Sequence, residues 1–84
     1  TSVEVDGNLL DKYREAFIDF FTNLSKVSKQ TIDLDKLLAK MSDYGFATLA
    51  DKFIGKNCND IDFNSSISKI FESLMNEFTQ GYFL

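Results

Sequence analysis

The chain contains no proline, no histidine and no tryptophan, and only one cysteine and four glycines among its 84 residues. Each absence closes a class. Without proline, nothing forbids long helices. With no histidine and Cys58 alone, a Cys/His zinc site cannot be built and no disulfide can form within the chain. Cations are scarce as well: nine lysines and arginines face 13 acids, for a net charge of −4. They are interleaved with acids along the chain, and Lys26 and Lys29 are the nearest thing to a cluster. Nucleic-acid binding rests on a concentrated basic patch that displaces phosphate counterions, so direct binding to nucleic acid is not expected. No apolar run approaches the ~18 residues of a membrane span, and no signal-peptide pattern is visible. The chain begins at Thr1 rather than Met, which reads as a domain excised from a larger protein.

Aromatic side chains are abundant. Nine phenylalanines in a chain that is 44% hydrophobic are far more than a disordered segment carries. Eighty-four residues make one small domain with a modest core. Domains of this size lean on staples or on oligomerisation. With disulfide and zinc excluded, self-association is the staple that remains.

The strongest pattern is a stripe with three-four spacing: Leu10, Tyr13, Phe17, Phe20, Leu24 and Val27. A repeat of 3.5 residues keeps such positions on one side of a helix, as in a coiled-coil seam. Leu9, Ala16 and Phe21 widen it to a broad face. The spacing predicts a first helix from Gly7 or Asn8, with Asn8 the better N-cap, to about Lys26–Ser28. Thr1 to Asp6 reads as a frayed lead. A second helix is capped by Asp33 and carries Leu34, Leu37, Leu38, Met41 and Tyr44 at helical spacing. Gly45 ends it, with Phe46 folding back onto Met41. Thr48 followed by Asp51 resembles a capping box for a short third helix, Leu49 to Ile54, ended by Gly55. Lys56 to Asp60 reads as a polar loop. The fourth helix is expected from near Asp62 to about Thr79, stopped by Gly81, and an apolar tail follows, Tyr82-Phe83-Leu84. The expected fold is all-α: one long amphipathic helix and three shorter ones in a small bundle, assembled as an oligomer.

No catalytic signature stands out. The pairs Asp33/Asp35 and Asp60/Asp62 sit at helix starts, where the helix dipole stabilises negative charge without any catalytic role. The oxygen-rich stretch Asn57 to Asn64 lacks the glycine and the final glutamate of a calcium loop. Cys58 has no histidine to activate it and one nearby cation, Lys56. There is no glycine-rich phosphate loop. The sequons at Asn23 and Asn64 are what an Asn- and Ser-rich chain shows by chance. No catalytic residue, cofactor or metal site is assigned.

The stretch Leu37-Leu38-Ala39-Lys40-Met41-Ser42-Asp43-Tyr44-Gly45-Phe46-Ala47-Thr48-Leu49-Ala50-Asp51 resembles the helix, glycine turn and Thr-Leu helix start near the C-terminal end of Rif proteins, the Rap-interacting factors of yeast that regulate telomere length. The resemblance covers about 15 of the 84 residues. It implies a nuclear, telomere-bound protein whose C-terminal domain self-associates and engages the Rap protein, with Leu84 as the end of the chain.

These readings converge on protein association. Helices two to four are too short to cover the whole first-helix stripe, and surplus apolar surface marks an interaction site. The main expectation is a homo-oligomer, dimer or tetramer. Its interface is drawn from Leu10, Tyr13, Phe17, Phe20, Phe21, Leu24 and Val27, with Tyr82, Phe83 and Leu84 either docked on the chain's own core or reaching a neighbour. Two alternatives stand beside it. One is a monomeric module whose groove binds another protein's helix. The other is a carrier of a small apolar ligand.

Overall fold

The structure, a computed structural model, describes the backbone of residues 2–84 and side chains from residue 4 onward. Four helices follow one another: α1 (Gly7–Val27), α2 (Leu34–Asp43), α3 (Thr48–Phe53) and α4 (Asp60–Thr79). Two short strands, β1 (Ser2–Glu4) and β2 (Asn57–Asn59), complete the described elements.

The expected proportions need one correction. α4 has 20 residues against 21 in α1, so the fold is built on two long helices and two short ones. Contacts between aromatic rings advance in the same direction along both long helices. Tyr13 meets Phe63 at 5.7 Å, Phe17 meets Phe71 at 5.6 Å, and Phe21 meets Phe78 at 5.9 Å. α1 and α4 therefore run parallel, and parallel neighbours need a return between them. α2 and α3 form that return, a descending limb broken at Gly45.

The helix ends show why the chain breaks where it does. Asp6, not Asn8, caps α1: its Oδ1 accepts the Leu9 N–H at 2.8 Å. Asp33 caps α2, accepting from Asp35 and Lys36, and Asn59 caps α4, accepting from Ile61 at 2.8 Å. Both acidic pairs thus sit at helix starts. Thr48 is not a cap. It is the first residue of α3, and its hydroxyl donates to the Gly45 carbonyl at 2.8 Å, bracing the turn instead.

Three helices close with the same pair of hydrogen bonds, one spanning five residues and one spanning three. At α2, Phe46 N–H donates to Met41 O at 3.0 Å and Gly45 N–H to Ser42 O at 2.9 Å. At α4, Tyr82 N–H donates to Glu77 O and Gly81 N–H to Phe78 O, both at 3.0 Å. At α1, Gln30 N–H donates to Ser25 O at 2.8 Å, and Lys29 N–H to Lys26 O at 3.1 Å. Here the left-handed position is held by Lys29, at φ 58°, without the freedom of glycine. A left-handed non-glycine residue costs about 1–2 kcal/mol, partly offset because glycine loses more entropy on folding, by roughly 0.5–1 kcal/mol. Lys29→Gly should therefore stabilise the chain by up to about 1 kcal/mol, raising the melting temperature by a few degrees (roughly 4–8 °C per kcal/mol at this size). A lower melting temperature would show that Lys29 makes a contact worth more than the strain.

The lead and the polar loop are the second correction. β1 and β2 pair antiparallel, Val3 opposite Cys58, and Gly55 N–H donates to Val5 O at 3.1 Å. Val5 is 1% exposed. Apart from Thr1, which lies outside the described residues, the lead is a strand followed by a core residue.

The core between these elements mixes aromatic and aliphatic side chains, six phenylalanines among the 14 buried hydrophobic residues described. Leu10, Phe17 and Phe21 of α1 meet Phe63, Ile67, Ile70 and Leu74 of α4. Leu37, Met41, Phe46, Leu49 and Phe53 close it from the descending limb. Among the described residues one buried residue is polar: the Ser25 hydroxyl satisfies itself by donating to Thr22 O at 2.6 Å. The result is a small helical bundle with principal extents of 41 × 20 × 18 Å. No described helix is long and apolar enough to cross a membrane.

Candidate association surface

Helical geometry divides the α1 stripe lengthwise. The buried line is Leu10, Phe17, Phe21 and Ser25. Tyr13 and Leu24 are half-buried beside it. Phe20 and Val27 lie on the outer edge, 43% and 81% exposed. Of the ten residues expected at an interface, Leu10, Phe17, Phe21 and Phe83 are in the chain's own core, and Phe20, Val27, Tyr82 and Leu84 face solvent.

The outer edge of α1 borders the half-buried edge of α4. The Phe20 ring lies 5.0 Å from Phe71, edge to face, and 5.3 Å from Phe21. Phe71, Met75 and Phe78 recur at helical spacing along α4, all half-buried against the core. The seam between the long helices is therefore an apolar strip whose most exposed ring is Phe20. Val27 and Leu34, on either side of the α1–α2 turn, and Tyr82 and Leu84 after α4 are also exposed. Leu34 and Ile61 are large, exposed and apolar, and sequence reasoning placed neither at an interface. Each sits next to a capping bond, where the side chain leaves the core side of the helix. Periodicity alone does not report that position.

A polar clasp ties the descending limb to α4. Lys40 Nζ is 4.0 Å from Glu77 Oε1, and the Tyr44 hydroxyl donates to the same oxygen at 2.6 Å. Lys40 also sits 4.7 Å over the Tyr82 ring. The hydrogen bond to Glu77, then partial burial and the neighbouring carboxylates, raise the Tyr44 pKa above its ordinary 10.0. The neutral phenol is thus favoured in the folded state. The stability it brings is complete below pH 10.0 and is lost as pH rises through the folded value. Tyr44→Phe should flatten the fall in urea midpoint above that pH. An identical alkaline slope in parent and variant would mean the bond to Glu77 is not formed in solution.

A second feature is an open groove of about 320 Å³ between α1, α2 and α3. Leu10, Leu38, Met41, Phe46 and Ala50 give it an apolar floor, and Asp11 and Arg14 stand at its rim. Cys58 is a half-buried free thiol on β2. Among the described residues no group of His, Cys, Asp or Glu is arranged to hold a metal ion. No family profile, curated protein or solved structure matches the chain.

Proposed function

We propose that this domain is a protein-association module that self-assembles through the seam between α1 and α4. The observation that carries the reading is Phe20: a large aromatic ring, 43% exposed, set against Phe71 at the border of the two long helices. Exposed apolar strips on small domains mark interaction surfaces. Burying a Phe or Val side chain fully stabilises by ~1.5–3 kcal/mol, and a second copy covering Phe20, Leu24 and Val27 would bury the part of each that is still exposed, on both protomers at once. The module is assigned no catalytic step.

Sedimentation equilibrium tests this directly. The parent chain should show a multiple of the protomer mass, and Phe20→Asp with Val27→Asp should return it to one protomer with its helical circular dichroism intact. A parent chain that stays monomeric at the highest soluble concentration rules the reading out. The resemblance of Leu37–Asp51 to Rif proteins makes the Rap telomere protein the candidate partner and the nucleus the candidate compartment. Binding of purified Rap protein to the chain is the test. The groove beside Asp11 and Arg14 favours a second reading, in which a foreign helix docks there. Arg14→Glu would weaken that binding while leaving the self-association mass unchanged.

A further inference from the structure

The segment after α4 is held in place the way a bound peptide is. Gly81, at φ 79°, reverses the chain. Phe83, only 1% exposed, then inserts its ring where α1, α2 and α4 meet, 6.2 Å from the fully buried Phe21. The Phe83 carbonyl accepts the Asp33 N–H at 2.6 Å, and Lys36 Nζ donates to the Leu84 carbonyl at 3.1 Å. Tyr82 and Leu84 on either side stay about half exposed. One aromatic anchor in a cleft, a main-chain bond to a helix start and a lysine on the next main-chain oxygen are the ingredients of extended-peptide recognition.

We propose that Tyr82–Leu84 is a detachable strap, and that the cleft it fills takes a Phe-centred peptide of a partner protein when the strap lifts. The contacts suggest the partner's chemistry: an aromatic residue, a phenylalanine and then an acidic residue, because Lys40 lies over the ring before the anchor and the Lys36 ammonium lies at the main-chain oxygen of the position after it. A second copy's strap is the weaker occupant. The tethered strap competes at an effective concentration in the millimolar range, and a second copy offers only the contacts already made in cis. An acidic partner peptide adds a charge pair with Lys36. The inference stands apart from self-association through Phe20.

The test uses the full chain, the Phe83→Ala chain and three labelled peptides read by fluorescence anisotropy. One peptide copies residues 80–84, one carries Leu84→Asp, and one carries Phe83→Ala. The Phe83→Ala chain should bind the first peptide about 10- to 100-fold more tightly than the parent does, the factor expected from releasing one buried aromatic anchor. The Leu84→Asp peptide should bind tighter still, and the Phe83→Ala peptide should bind neither chain. Equal affinity of the first peptide for both chains overturns the proposal. So does displacement of the peptide by unlabelled parent chain as efficiently as by free peptide, since the occupant is then a second copy. If the Phe83→Ala chain does not fold, hydrogen exchange on the parent decides. Exchange of the Asp33 amide faster than the amides of the α4 core supports a strap that lifts. Exchange only with global unfolding overturns it.

Discussion

Phe21→Ala should remove most of the stability of the chain, while Phe20→Ala, one residue away, should leave the fold nearly untouched. Phe21 has no exposed surface, and its ring meets Phe20 at 5.3 Å, Phe71 at 5.7 Å, Phe78 at 5.9 Å and Phe83 at 6.2 Å. It joins α1, α4 and the strap, so no single neighbour can collapse into the space it would leave. Truncating a buried Phe to Ala costs about 3–5 kcal/mol, because the cavity term adds to the lost transfer energy. Small domains hold ~0.05–0.15 kcal/mol per residue, so the loss approaches the whole reserve at the low end of that range. The melting temperature should fall by about 12 °C or more, at roughly 4–8 °C per kcal/mol. Phe20 already keeps 43% of its surface in water and should cost about 1 kcal/mol. Thermal melts of both variants check the facing of α1. Equal losses at the two positions at every dilution would mean that Phe20 belongs to the protomer's own core, whereas a loss at Phe20 that depends on concentration is what its burial against a second copy predicts.

The second large effect is at Gly45. This residue takes φ 94° between α2 and α3, and a Cβ built there meets the Thr48 hydroxyl oxygen at 3.2 Å. Gly45→Val combines two costs. A β-branched side chain is disfavoured in the left-handed region by about 1–2 kcal/mol. The Thr48 hydroxyl must also give up its bond to the Gly45 carbonyl, or shift, to make room. A combined loss of about 2–3 kcal/mol is expected, within the range for strain at a special backbone position. Gly45→Val with Thr48→Ala separates the two. The double variant should recover the crowding cost but not the φ cost. A Gly45→Val melting temperature equal to the parent's would show that the turn adopts another conformation.

The helices and their glycine stops were legible because those signals are local. The Leu37, Met41 and Phe46 contacts with the core follow from a 3.6-residue period and a left-handed stop at Gly45. Asp33 is followed by apolar spacing that only a helix start explains. The strands were hidden for the opposite reason. Each has three residues, too few for an alternation to register, and each pairs with a segment more than 50 residues away. Asn8 looked the better cap, but Asp6 reaches the Leu9 N–H and starts the helix two residues earlier. The α1 face shows the limit most clearly. From Leu9 to Phe21 its apolar residues cover such a broad arc that periodicity cannot say which edge turns inward. The structure rotates the buried line to Phe17 and Phe21 and leaves Phe20 outside, because Phe63, Phe71 and Phe78 of α4 fill one side. That partner is 40 or more residues distant, and no local pattern announces it.

The two-stranded sheet fixes where the chain enters and leaves. β1 is pinned to β2, directly before α4, and the strap lies just after α4 ends. A 20-residue helix is about 30 Å long. The first and last described residues therefore sit at opposite poles of an elongated body. Many small domains bring their ends close together and tolerate circular permutation through a short linker. This one would need roughly nine extended residues, at ~3.3–3.6 Å each, to join its poles. Fluorophores attached at the two ends would be separated by the length of α4, and that separation would shorten only if the sheet or the strap came apart.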